Sequence, residues 1–130
     1  MRLMIVDDPT SMLKIIRTIL KGLGYTDIAE AKDGDEAWEQ LQEGGVDLLI
    51  TDWNMPNMSG LELVEKVRAN PATAELPIIM STSRNVKDDI IAAMRAGANN
   101  YVSKPYTPPQ LEAKIEQVFK KLRAETQKKL

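Results

Sequence analysis

Neither cysteine nor histidine occurs anywhere in the 130 residues. Without cysteine the chain has no disulfide, no thiolate metal site and no thiol nucleophile. Without histidine it has no imidazole to serve as general base, zinc ligand or phosphoryl donor. Chemistry on this chain therefore falls to carboxylates, hydroxyls and amines. Long apolar runs are missing as well, since none approaches the roughly 20 residues of a membrane span. The amino terminus MRLMIVDD turns acidic after a few apolar residues, unlike a signal peptide. An excess of one charge sign is lacking too: 17 basic and 19 acidic residues give a formal net charge of −2, spread along the chain. That balance argues against nucleic acid as a partner, because gripping a phosphate backbone needs a concentrated basic surface. A soluble, cytoplasmic protein is expected.

What is present is a regular alternation. Apolar runs at Leu3–Val6, Ile28–Ala31, Leu48–Thr51, Ile78–Ser81 and Tyr101–Ser103 are separated by segments with helical spacing. Met12, Ile15, Ile16, Ile19, Leu20 and Leu23 form one helical stripe, closed by Gly22 and Gly24. Ala37, Trp38 and Leu41 mark a second helix ending at Gly44–Gly45, and Ser59-Gly-Leu-Glu62 is a capping box opening a third through Leu63, Val64 and Val67. Ile90, Ile91 and Met94 carry a fourth, stopped by Gly97. Thr107-Pro-Pro-Gln110 opens a fifth through Leu111, Ile115, Val118, Phe119 and Leu122. Nearly continuous apolar strands alternating with helices predict a parallel sheet covered on both faces. One domain over residues 1–124 is expected, with 125–130 a basic, fraying tail.

The strands carry acids at their carboxyl ends: Asp7 and Asp8 after the first, Asp52 after the third. Ligands of open parallel sheets bind beyond those ends, where strand order reverses. Three carboxylates converging there would repel one another unless a cation or a proton joined them, and an all-oxygen set suits Mg²⁺ or Mn²⁺. Helix capping by Asp8 before Pro9, and a turn beginning at Asp52, are the simpler readings of each acid alone. Thr82 ends the fourth strand and Lys104 follows the fifth, where a phosphoryl group would need a hydroxyl and an ammonium. An aspartate is a competent nucleophile for that group because it is already ionised.

The set VDD at 6–8, TDWNMPNMSG at 51–60, STS at 81–83 and YVSKP at 101–105 resembles the receiver domains of response regulators, and GLEL, DIIAAMRAGA and LEAKI extend the likeness across essentially the whole chain. The resemblance implies a doubly wound (βα)5, flavodoxin-like fold: a five-stranded parallel sheet in order 2-1-3-4-5 with helices on both faces. It implies that Asp52 is the phosphoacceptor. Asp8 and Asp52 would hold Mg²⁺ through carboxylates, Asp7 through water and Asn54 through its main-chain carbonyl. Thr82 and Lys104 would contact the phosphoryl group, Thr82 and Tyr101 would form the switch, and the Lys104–Pro105 peptide is one often found cis. Lys87, Tyr101, Tyr106 and Lys114 would line a partner face around the fourth helix, fifth strand and fifth helix. The implied partners are a chemotaxis-type histidine kinase, a flagellar motor switch protein and a phosphatase, met by a monomer. Pro9, Ser83 and Arg84 depart from the pattern and bear on rates and on phosphatase access.

Rival functions fit less well. An aspartyl-phosphate hydrolase of the haloacid dehalogenase type resembles D-x-D, whereas Asp52-Trp53-Asn54 puts an amide where a general acid–base is needed. The acidic turn DDPTSM would repel a flavin phosphate, and no G-x-x-x-x-G-K is present for a P-loop ATPase. A switch, not an enzyme, is therefore expected. A fragment of a larger response regulator, or a phosphorelay intermediate, stays open as an alternative.

Overall fold

The computed structural model describes residues 1–7, 10–55, 57–83 and 87–129. Elements alternate strictly along the chain: β1 Arg2–Val6, α1 Thr10–Gly22, β2 Asp27–Ala31, α2 Gly34–Leu41, β3 Leu48–Asp52, α3 Gly60–Ala69, β4 Ile78–Thr82, α4 Lys87–Ala96, β5 Asn100–Ser103 and α5 Pro108–Lys129. The strands form one parallel sheet in order β2-β1-β3-β4-β5, as the resemblance implies. Each strand extends its apolar run by one polar residue at one end: Arg2, Asp27, Asp52, Thr82 and Asn100. Backbone ladders extend through these residues whatever their side chains, pairing Arg2 with Asp27, Asp52 with Ser81 and Thr82 with Ser103. None of the described helices is long and apolar enough to cross a membrane.

Side chains alternate between the sheet's two faces. Met4, Val6, Leu49, Ile78 and Met80 pack under α2, α3 and α4 with Ala37, Leu63, Val64, Val67 and Ala93. Leu3, Ile5, Leu48, Ile50, Ile79 and Val102 pack under α1 and α5 with Leu13, Ile16, Leu20, Leu111 and Ile115. Two helical stripes differ from expectation. On α1 the buried arc centres on Ile16 with Leu13 and Leu20, while Ile15, about 100° round the helix from Ile16, is 53% exposed. On α4 the buried residue is Ala93, and Ile91 and Met94 face outward, 36% and 40% exposed. A helix seated through a small residue lies close to its neighbours and leaves its larger side chains outside.

The caps follow the sequence pattern. Glu62 N–H donates to Ser59 Oγ and the Ser59 N–H donates to Glu62 Oε1, closing the box at α3. Thr107 and Gln110 exchange the same pair of bonds at α5. Gly60 has a further duty, because its N–H donates to the Trp53 carbonyl at 2.7 Å. A Cβ there would lie 2.0 Å from the Asp52 carbonyl oxygen. The start of α3 is thus pressed against the end of β3, and only glycine permits the approach. At the other end of α3, Arg68 donates to the carbonyls of Gly97 and Ala74 and to Asn99 Oδ1, joining the α3–β4 and α4–β5 loops. Burial with no anionic partner among these acceptors lowers its pKa.

Candidate functional site

The chain runs from β1 outward to β2 and returns to β3 on the other side, so the crevice above the carboxyl ends of β1 and β3 is the switch point of the sheet. Strand parity populates it. Ile5, Ile50 and Ile79 point toward α1 and α5, so Asp7, Asp52 and Ser81, each two residues further on, emerge on the same side. Asp7 is fully buried and Asp52 is 7% exposed. The Lys104 ammonium sits between them, 2.7 Å from Asp7 Oδ2 and 3.1 Å from Asp52 Oδ1. Lys104 is held by its own backbone, whose N–H donates to the Thr82 carbonyl at 2.8 Å, and the Lys104–Pro105 peptide is cis. The Trp53 N–H donates to Asp52 Oδ1 at 2.9 Å. Asp52 Oδ2 engages no described residue.

The structure therefore brings together Asp7, Asp52 and Lys104 and places Thr82, 2% exposed, at the adjoining end of β4. Asn54 lies exposed just past β3. Asp8, Pro9 and Arg84 lie outside the described residues, and among the described residues no group of three or more acids is gathered for a metal. The donor chemistry still fits a hard divalent cation. Two buried carboxylates meet in one crevice beside the Lys104 ammonium, and oxygen donors are what Mg²⁺ takes.

Of the expected partner-face residues, Lys87 is exposed at the start of α4 and Tyr101 is half-buried against the α4 side of the core. The Lys114 ammonium stands 4.6 Å over the Tyr101 ring. Tyr106 does not belong to that face. Its ring packs on the α1–α5 side and its hydroxyl is buried. Burial pushes the Tyr106 phenol up to about 12, with the charges of Asp7 and Asp52 adding and the nearby Ser81 hydroxyl opposing. Sequence reasoning missed the role of Ser81, Tyr106 and Gly60 here. The one visible signal was a serine inside the otherwise apolar run of β4.

The response regulator receiver domain family matches residues 3–116. The chain belongs to that family. This receiver is 50% identical over 120 residues to chemotaxis protein CheY1 of Helicobacter pylori, a match covering 92% of this chain and 97% of that protein. Among solved structures, the receiver resembles the chemotaxis protein CheY4 of Vibrio cholerae, with a TM-score of 0.83 and 31% identity over 90% of this chain and 97% of that one. It also resembles the receiver domain of a sensor histidine kinase from Pseudomonas aeruginosa, with a TM-score of 0.78 and 25% identity over 86% and 91% of the two chains. That domain was solved with a magnesium ion coordinated in its active-site cleft.

Proposed function

We propose that this receiver is a single-domain response regulator whose Asp52 accepts a phosphoryl group from a histidine kinase in a Mg²⁺-dependent reaction, and that the phosphorylated form signals to the flagellar motor in chemotaxis. The observation that carries the reading is the Asp52 carboxylate itself. It is buried at the end of β3, with Oδ1 held by the Trp53 N–H and the Lys104 ammonium. Oδ2, engaging no described residue, is the nucleophile: its bond to phosphorus forms as the bond from phosphorus to the donor nitrogen breaks. Lys104 neutralises charge on the transferring group's oxygens without reorganising, because it already stands at the site. Asp8 and Asp52 would hold the ion through carboxylates, with Asp7 through water and Asn54 through its carbonyl, and Mn²⁺ would serve as well. When bound, the ion supplies further neutralisation of the phosphoryl oxygens. Asn54 offers no titratable proton, so the acyl phosphate persists and can be read by a partner. That supports a signalling switch and disfavours a phosphatase.

The readout runs through Thr82 and Tyr101. Tyr101 pairs with Met80 on the α4 side of the sheet, the side toward which Thr82, two residues on, also points. A shift of Thr82 toward the phosphoryl group opens space into which Tyr101 turns, changing the surface that carries Lys87, Tyr101 and Lys114. That basic and aromatic surface suits an acidic amphipathic peptide, of the kind a motor switch protein would present, and the same face would meet the kinase or a phosphatase. The test is labelling by a small acyl phosphate with and without Mg²⁺. Wild type is expected to label only with the ion, and Asp52→Asn, still folded, not at all. Undiminished labelling of that variant would remove Asp52 from the proposal. An acidic peptide binding equally with and without beryllium fluoride would remove the switch.

A further inference from the structure

Lys114 stands on α5, and α5 packs on the side of the sheet opposite to the one on which Tyr101 lies. Its ammonium nevertheless sits 4.6 Å over the Tyr101 ring. The contact is possible because β5 is an edge strand, so the long, flexible lysine stem can pass round it and meet a ring held at the edge. Both residues are partly buried, which strengthens a cation–π contact over one in open water. One side chain fixes the spacing of the two backbones. Asn100 accepts the Tyr101 N–H on Oδ1 at 2.9 Å, and its Nδ2 donates to Gln117 Oε1 at 3.0 Å and to the Lys114 carbonyl at 3.4 Å. The strand residue bearing the ring and the helix turn bearing the ammonium are thus held together as one unit.

We infer that Lys114 is the latch of the tyrosine switch: its ammonium holds the Tyr101 ring at the sheet edge, and activation must break that contact. The inference rests on the reading of Tyr101 as a switch residue. A ring that turns inward beneath α4 moves away from the sheet edge and out of the lysine's reach. The contact therefore exists in only one of the two states, and a contact of that kind sets the equilibrium between them. At the strength of a partly exposed cation–π pair, it biases the ring outward by about two- to fivefold. Opening has a second consequence. The ammonium that leaves the ring becomes available to a carboxylate, so the surface carrying Lys87 and Lys114 offers an acidic peptide this further cation only once the switch has turned.

The experiment measures affinity for beryllium fluoride at saturating Mg²⁺ by Trp53 fluorescence. No peptide or kinase is present, so contact of Lys114 with a partner does not enter. Lys114→Met keeps the stem and removes the charge. It is expected to bind beryllium fluoride about two- to fivefold more tightly, because a larger fraction of the chain already has its ring turned inward. General electrostatics has the opposite sign, since losing a cation weakens the binding of an anion. Lys114→Arg, whose guanidinium also stacks on an aromatic face, is expected to restore the wild-type affinity. In a Tyr101→Leu background, Lys114→Met is expected to bring no tightening. Affinity unchanged or lowered in Lys114→Met, or the same gain in the background without the ring, would overturn the latch. Fluorine NMR of chains carrying fluorotyrosine, with the Tyr101 signal assigned by its loss in Tyr101→Phe, watches the ring itself. A wild-type Tyr101 signal unmoved by beryllium fluoride would overturn the switch reading and the latch with it. A signal that moves, without tighter binding by Lys114→Met, would overturn the latch alone.

Discussion

Replacing Lys104 by methionine keeps the length of the stem and removes the one ammonium that the described residues place between two buried carboxylates. At an effective dielectric constant of about 20, charges at 2.7 and 3.1 Å attract by ~6 and ~5 kcal/mol. Desolvation of the three ions cancels most of that gross attraction, so it is not the expected loss. The loss has a ceiling. A buried carboxylate without a counter-ion takes up a proton rather than remain charged. At pH 7, protonating a carboxyl with an ordinary pKa near 4 costs about 4 kcal/mol. We therefore expect Lys104→Met to lose ~3–4 kcal/mol at pH 7 in chelator, and no more than ~1.5 kcal/mol at pH 5. The sign follows from proton counting. The variant's folded state holds a proton that its unfolded state has released, so its deficit against wild type shrinks as pH falls. A divalent cation replaces the missing charge, so Mg²⁺ is expected to stabilise the variant more than the wild type. Urea unfolding followed by tryptophan fluorescence, at both pH values, with chelator and with Mg²⁺, measures all of this. A deficit equal at pH 5 and pH 7 would show that lost packing, not uncompensated charge, destabilises the variant, and equal stabilisation by Mg²⁺ would refute the charge-replacement argument.

Other changes separate the scaffold from the site. Gly60→Ala places a Cβ 2.0 Å from the Asp52 carbonyl oxygen, so the end of β3 must move; we expect a loss of at least ~2 kcal/mol and slower phosphorylation, both absent if α3 simply shifts outward. Arg68→Met removes three hydrogen bonds from a half-buried guanidinium, for an expected loss of about 2 kcal/mol in thermal unfolding while Asp52 still labels. Tyr106 holds its proton to about pH 12 in the folded chain, against the ordinary 10.0. Its contribution to stability is therefore complete below pH 10 and declines as pH rises through 12, a loss on the order of 2 kcal/mol that Tyr106→Phe should not show. Phenolate absorbance during an alkaline titration checks the assignment, since a phenol titrating near pH 10 in the folded protein would contradict it.

Much of the architecture was legible because it depends on local pattern. Apolar runs bounded by glycine and capping residues locate strands and helices, and Ser59–Glu62 and Thr107–Gln110 start their helices where residue chemistry says they should. Strict alternation then leaves few alternatives to a parallel sheet. The acids at the ends of β1 and β3, the hydroxyl at the end of β4 and the lysine after β5 were also visible, since strand ends mark where ligands bind.

What the pattern could not decide depends on which surfaces meet. Ile15 and Leu13 are both apolar and both on α1, and only the seating of that helix buries one and exposes the other. On α4 the small Ala93 takes the inner position while Ile91 and Met94 turn outward, because a close approach between elements favours the smaller side chain. Tyr106 read as a surface aromatic next to Tyr101. The sheet has two faces, and the chain between these two tyrosines crosses from one to the other. Likewise Asp7 and Lys104, 97 positions apart, meet at 2.7 Å only through the order in which the strands assemble. Sequence by itself determined which elements form and which chemistry their ends carry. Tertiary structure alone decided which ends became neighbours and which groups lost their water, and a charge or a hydroxyl acquires its function from its distance to other groups and from the solvent it has given up.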